Sequence, residues 1–360
     1  MSEAARAPRP IYVFEKGENH GTRFEFRGST RIVELTGTST DGPLVSCIMI
    51  TRGDPKLVAT SVEAFAAQTY ANKELVIVCD DVTDALRGLV ARRADVRLIA
   101  IDEVLPLGTL RNEGTRAARG DILCQWDDDD LFSPQRLEAG VSALLRAGTR
   151  ALFLLRWMIW WPKRKFFGVS AERLCEGSMF VWKDAMGVYP ALRRCEDTQM
   201  VEALCRAHDF ALLDDPASYC YVIHGGNTWD EDHMSTMIER CSLVFEHDHA
   251  VAEFSPLFGL RGHAAFDDGA PAAAQVDTGE HVRLAENCRA REAARRVDIA
   301  ERLFLDRMGQ RFRRAPGLIR VTGELLSSAG RFTRSPALEK WGVAFWNLHE
   351  RLKAEKPPES

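Results

Sequence analysis

Between Leu44 and Trp126 four apolar runs of strand length alternate with segments of helical periodicity, and three of the runs end in a polar cluster. The runs are Leu44–Ile50, Glu74–Cys79, Val96–Ala100 and Ile122–Trp126. A nearly continuous apolar run of this length suits a strand covered on both faces, as in a parallel sheet. Between the runs, Leu57, Val58, Val62 and Phe65 fall at helical spacing, and Ala85–Ala91 and Thr109–Ala118 read as two further helices. Strand and helix in alternation predict a mostly parallel sheet with right-handed crossovers. Ligands of such sheets bind beyond the carboxyl ends of the strands. The clusters Thr51–Asp54, Asp80–Asp81 and Asp127–Asp130 all stand at those ends and are expected to converge on one face.

On either side the patterning changes. Ile11–Phe14 and Arg23–Phe26 predict a small N-terminal β-hairpin, Arg31–Leu35 a further strand, and Thr36–Pro43 a linker. Ser133 reads as the N-cap, and Pro134 as the first turn, of a helix running to about Arg146. The apolar stretch Ala151–Trp161 contains Arg156 and is too short to span a bilayer; it reads as a buried strand with a wet aromatic end. Asp248–Asp277 reads as loop, Gly279–Arg313 as helical, and Ala337–Leu352 as a final amphipathic helix carrying Trp341, Phe345 and Leu348. The expected division is an N-terminal extension over 1–42, an α/β domain over 43–250, and a loop with a C-terminal helical extension over 251–360. A formal net charge of -5 gives no general case for nucleic-acid binding. Nine cysteines without a C-x-x-C pair, three of them (Cys47, Cys79, Cys124) inside apolar runs, fit a reduced, cytoplasmic setting. Met1–Pro10 lacks the apolar core of a signal peptide.

The strongest chemical signal is Trp126-Asp127-Asp128-Asp129-Asp130-Leu131. Four adjacent carboxylates beside an apolar strand repel one another and resist desolvation. A divalent cation relieves both costs, and hard oxygen donors suit Mg²⁺ or Mn²⁺ bridging to substrate phosphates. By itself the run also fits an acidic turn that caps a helix.

Three segments in order resemble the family-2 glycosyltransferases of the GT-A fold, a Rossmann-like α/β architecture. They are Val45–Asp54 (VSCIMITRGD), Gln68–Asp84 (QTYANKELVIVCDDVTD) and Gly108–Leu137, which contains RNEG, ARGD and the acidic run as a D-x-D strand end. The resemblance covers roughly 43–247 and implies an inverting sugar transfer from a nucleotide-diphosphate sugar, a UDP-sugar favoured. It implies that Thr51, Arg52, Asp80, Asp81, Gly108 and Arg111 bind the nucleotide, with Asp127 and Asp128 near the ribose and donor sugar. Asp129, last acid of the D-x-D triplet, and His224 would hold the metal, and Asp130 would support or cap. Asp197 of the Glu196-Asp197 pair would be the general base, with Glu196 positioning it. Gly177, Asn227 and Trp229 would border the acceptor or form a closing loop. In one departure Gly53 stands where the family often has an aromatic residue.

Other readings stay beside these. Glu196-Asp197 also suits a helix N-terminus, and His224 a glycine-rich turn. Trp157, Trp160 and Trp161 suit either a sugar platform or an aromatic strand. Rival functions are a nucleotidyltransferase and a non-catalytic nucleotide-sugar-binding scaffold. The acceptor is open among glycans, lipid-linked and small-molecule acceptors. The Arg-rich segment from Arg307 reads first as a plain helical bundle packing on the catalytic domain, and beside that as a candidate for peripheral membrane contact at the inner face or for homo-oligomer contact.

Overall fold

The computed structural model describes residues 9–16, 29–260, 304, 305, 341, 344, 345, 347 and 348. The chain divides into two compact units, Met1–Thr30 with Glu34–Glu292, and Arg31–Val33 with Ala293–Ser360.

The elements begin with β1 (Pro10–Phe14), β2 (Arg31–Glu34), β3 (Val45–Thr51), α1 (Pro55–Ala66), β4 (Lys73–Cys79), α2 (Asp84–Val90), β5 (Val96–Ala100), α3 (Leu107–Ala117) and β6 (Ile122–Gln125). After the acidic run come β7 (Leu131–Phe132), α4 (Arg136–Ala147), β8 (Ala151–Leu154), β9 (Met158–Trp161), β10 (Phe166–Val169) and β11 (Cys175–Trp182). The larger unit continues with α5 (Glu196–Ala207), β12 (Phe210–Leu213), β13 (Tyr219–Val222), α6 (Glu231–Glu239), β14 (Leu243–Phe245) and α7 (His247–Phe258).

Within the larger unit the main sheet has the order β1-β12-β8-β11-β6-β3-β4-β5. Strands β6, β3, β4 and β5 are mutually parallel, with β3 and β4 in register from Val45↔Lys73 to Thr51↔Cys79. This is the mostly parallel, helix-flanked α/β sheet that the alternating runs predict. Helix α1 starts where Asp54 accepts from the backbone N–H of Lys56 and Leu57 and Pro55 takes the first turn. Gly114 lets α3 lie close on β3, for a Cβ there would meet Ile48 Cγ2 at 2.5 Å. A second sheet, β14-β10-β9-β13-β7, starts from the far side of the acidic run. Asp127–Asp130 therefore span the step from β6 of one sheet to β7 of the other.

Four expectations are corrected. First, Ile11–Phe14 does not stand apart as a small extension: it pairs with β12 of the main sheet, Ile11 opposite Leu213 and Phe14 stacked on Phe210 at 5.0 Å; Arg23–Phe26, its expected hairpin partner, lies outside the described residues. Second, Ala151–Trp161 is two strands in two sheets, turned at Arg156, whose guanidinium is buried against Asp214 at 2.9 Å. Trp157, Trp160 and Trp161 are buried at 4%, 6% and 1% exposure, so none offers a face to a sugar and the aromatic end is dry. Third, α4 begins at Arg136, because the Pro134 carbonyl that would start the helix accepts instead from the backbone and hydroxyl of Thr69. Buried Gln68 fixes this turn, donating to the Ser133 carbonyl and accepting from Leu137 N–H. Fourth, the expected loop after Asp248 is helix α7, capped by Glu246, with Ala250 and Phe258 in the core of the second sheet. An expected domain edge at residue 250 cuts this helix.

In the smaller unit the described positions 304, 305, 341, 344, 345, 347 and 348 are helical, and the Phe304, Trp341 and Phe345 rings lie 5.4–6.3 Å apart. The remainder of the expected C-terminal helices lies outside the described residues. Among the described residues no helix is long and apolar enough to cross a membrane.

Candidate active site

The strand ends converge as the topology requires. Thr51 ends β3, and its hydroxyl donates to Asp128 at 2.5 Å while accepting from Gly53 N–H at 3.0 Å. Gly53 has φ +82°, and a Cβ there would meet the Asp81 carbonyl at 2.6 Å. The tight approach of these two turns, with φ in the left-handed region, requires glycine at this position. Asp80 is partly exposed, and Arg52 and Asp81 are exposed, at the same edge.

The four acids have four different surroundings. Asp127 accepts from Gln125 Nε2 at 2.9 Å and lies 3.4 Å from Arg111. Asp128 accepts from Thr51. Asp129 Oδ2 lies 3.1 Å from His224 Nε2. Asp130 is buried and accepts from the Tyr219 hydroxyl at 2.5 Å and Val222 N–H at 3.0 Å. Asp130 thus ties the acidic run to β13, the strand that delivers His224.

Burial raises the pKa of Asp127, against the pull of Arg111. Burial, with the Asp129 charge next, pushes Asp128 up to about 7. Burial also pushes Asp130 well up, and Asp129 and Asp127 add to it. A carboxyl raised on folding takes up protons between its unfolded pKa near 3.9 and its folded value. Its effect on stability is therefore a loss as pH rises through about 4 to 7. Without nucleotide or divalent ion, thermal melts should fall in midpoint between pH 5 and pH 8. Asp128→Asn should flatten that fall, and an unchanged slope in the variant would assign the effect elsewhere.

Glu196 opens α5 and is buried against Arg111, Oε1 to Nε 3.0 Å. Burial raises its carboxyl, opposed by Arg111. Asp197 follows, half-buried, its Oδ1 accepting from Thr198 N–H at 2.7 Å. Arg111 was expected to face the nucleotide, but it is 7% exposed and spans Asp127 and Glu196 from beneath. Burial alone would lower its pKa; the surrounding charges, Asp127 first, outweigh that and hold it above the usual range. Gly108 is likewise internal, because a Cβ there would lie 1.9 Å from the Pro190 carbonyl. It packs α3 against the 190–192 turn rather than facing a ligand. Gly177 does face the site, 3.5 Å from Asp127 Oδ2 at its Cβ position.

After β13 the side chain of Asn227 accepts from His224 N–H at 2.6 Å and donates to the Val222 carbonyl at 3.0 Å. Its amide is used within the turn and orients His224, so it is not left to hold phosphate or acceptor. Trp229 is 40% exposed.

Three contributors were not singled out from the sequence. Tyr219, in an apolar strand, gave no sign of its bond to Asp130. Gln125 reads as the polar end of a strand. Arg136, at a helix start, reads as a surface residue; it is instead 2% exposed, ringed by Phe132, Tyr219, Trp126 and Phe180, and donates to the Gln125 carbonyl at 2.8 Å.

The carboxylate and imidazole of Asp129 and His224 suit a hard or borderline divalent cation. No third His, Cys, Asp or Glu converges on them among the described residues. The chain would supply two donors, the rest of a shell being left to phosphate and water oxygens.

Residues 46–174 match the family model described as Glycosyl transferase family 2. The succinoglycan biosynthesis protein ExoO of Rhizobium meliloti is 34% identical over 110 residues, 30% of this chain and 32% of ExoO. The Escherichia coli UDP-Glc:alpha-D-GlcNAc-diphosphoundecaprenol beta-1,3-glucosyltransferase WfgD is 31% identical over 108 residues, 29% of this chain and 43% of WfgD. The aligned region thus spans less than half of either relative. Among solved structures, S. aureus TarS 1-349 in complex with UDP-GlcNAc superposes with TM-score 0.42 at 14% identity, over 88% of this chain and 93% of that one.

Proposed function

We propose that this chain, which through residues 46–174 belongs to glycosyl transferase family 2, transfers a sugar from a nucleotide-diphosphate donor to an acceptor hydroxyl. One observation carries the reading: the acidic run at the carboxyl edge of the sheet meets His224 on one side and, through Arg111, the Glu196-Asp197 pair on the other. A donor-binding edge and a candidate base thereby share one cleft.

On this reading Thr51 and the Asp80-Asp81 turn border the nucleoside, with UDP-sugars the favoured donors. Arg52, exposed beside them, is free to turn onto the base or phosphates. Asp127 and Asp128 face the donor sugar and ribose. Asp129 and His224 would hold Mg²⁺ or Mn²⁺, whose contribution is to neutralise the departing diphosphate. Asp197 takes the acceptor proton as the hydroxyl attacks the anomeric carbon. A single carboxylate in that role suits direct displacement with inversion. Glu196, locked to Arg111, fixes the start of α5 and with it the position of Asp197. Nucleotidyl transfer is disfavoured: the turn from β3 to α1 is only Arg52-Gly53-Asp54, and Asp54 is used as the helix cap.

Calorimetric titration of UDP, GDP, TDP and CDP, with and without Mn²⁺, tests the reading. One nucleotide should bind, and Mn²⁺ should tighten it. Binding of none of the four would overturn the proposal.

A further inference from the structure

We propose that Asn112 is a positioning residue for the transfer: its side chain fixes the segment that leads into α5 and, through that segment, the place of Asp197. This role rests on the glycosyltransferase reading, in which Asp197 is the base, and needs no contact with donor or acceptor.

Residues 186–195 form no helix or strand, and 191–195 are exposed. Within this stretch Leu192 N–H donates to the Pro190 carbonyl at 2.7 Å. Its course is otherwise set from α3. Gly108, Arg111 and Asn112 stand at i, i+3 and i+4 and so share one face of that helix. Each holds a different point of the segment. Gly108 N–H donates to the Leu192 carbonyl at 3.0 Å, and Arg111 Nε donates to Glu196 at 3.0 Å. Asn112 holds Tyr189, where the segment begins.

The Asn112 anchor is the most exacting of the three. Tyr189 N–H donates to Asn112 Oδ1 at 2.9 Å, and Asn112 Nδ2 donates to the Tyr189 carbonyl at 2.9 Å. One half-buried side chain thus satisfies both backbone groups of a buried residue 77 positions along the chain. A carboxamide offers the donor and the acceptor that this pairing needs; a carboxylate has no donor and an ammonium no acceptor. The same seat leaves the Tyr189 ring beside the Arg111 guanidinium at 5.9 Å.

Downstream the backbone is strained. Cys195 is a non-glycine residue at φ 59°, in the left-handed region. Such a conformation persists only where the structure around it over-determines it. With Tyr189 released, the stretch up to Cys195 gains slack, Cys195 can relax, and the start of α5 turns with Asp197 on it. A misplacement of about 1 Å in a reacting group costs on the order of 10²-fold in rate. Arg111 would still hold Asp127, so the acidic run and the nucleotide edge should keep their places.

The test compares the full chain with Asn112→Ala by hydrogen exchange and by turnover. Backbone exchange, read by mass spectrometry, should become at least about tenfold faster across 190–199 and stay unchanged across 45–51 and 122–130. Turnover is read as UDP released from UDP-glucose with Mn²⁺, water taking the place of the acceptor. It should fall about 10- to 100-fold, with the KM for UDP-glucose and the affinity for UDP unchanged. Asn112→Asp keeps the bond from Tyr189 N–H and loses the other, so it should fall between parent and Asn112→Ala; if Asn112→Ala does not fold, Asn112→Asp carries the comparison. In an Asp197→Asn chain the added Asn112→Ala should cost less than about twofold more, because the base it places is already gone. Exchange that is unchanged across 190–199, or faster by the same factor everywhere, overturns the role. So does a loss in the Asp197→Asn chain as large as in the parent. A parent chain that binds no nucleotide sinks the glycosyltransferase reading instead, and the exchange pattern then decides the anchor by itself.

Discussion

An Asp197→Asn chain should bind nucleotide diphosphate as the parent does and transfer sugar about 10²- to 10⁴-fold more slowly, the range for removal of a general base. The amide keeps the size of the carboxylate and an oxygen that can still accept from Thr198 N–H, so the start of α5 should hold. It cannot take a proton. It also removes a negative charge that helps to raise the Asp127, Glu176 and Glu196 carboxyls, so neither stability nor diphosphate binding should fall. Single-turnover transfer beside a UDP titration separates the two effects. Full transfer in the variant would end the assignment of Asp197 as base; lost nucleotide binding would make it a structural residue.

Asp129→Ala should act on the other half of the reaction. It takes away the carboxylate that lies 3.1 Å from the His224 imidazole. Transfer should fall by about 10²- to 10³-fold or more, the scale for loss of one preorganised electrostatic contact in a transition state. Unlike Asp197→Asn, it should also abolish the gain in nucleotide affinity on adding Mn²⁺. Asp129 is the natural target in the run, because Asp130 is tied to Tyr219 and Val222 and its loss would disturb β13. Mn²⁺-dependent UDP binding that survives in Asp129→Ala would place the ion elsewhere.

The parallel half of the main sheet was legible because β3, β4 and β6 are buried on both faces and so read as unbroken apolar runs. Their order along the chain then fixed which polar clusters would meet. The antiparallel half was less legible. β1 pairs with a strand some 200 residues away, a choice that no local pattern encodes. Residues 151–161 read as one element because the turn rests on Arg156, whose partner Asp214 is remote in sequence. At the site, sequence order brought Thr51, Asp81, Asp128 and Asp129 to the right edge but could not say which polar side chains face inward. Arg111 and Asn227 carry groups that would serve a ligand well, yet their hydrogen bonds close on the protein itself. Gly108, which the resemblance places among the nucleotide-binding residues, packs α3 against the 190–192 turn. Tyr219 and Arg136 stayed hidden because a buried hydroxyl or guanidinium is recognised only from what surrounds it.

The Arg111 strut has a consequence for binding. Joined to Asp127 and Glu196 from within the core, it makes the end of β6 and the start of α5 one stiff wall. The facing segment is held differently: Gly225 has open space around its Cβ position, and the turn is braced by the side chain of Asn227 and by the contact of His224 with Asp129. On the proposed reading the donor would be seated against a wall whose polar side chains already hold one another in place, so little of its binding energy would go into ordering them.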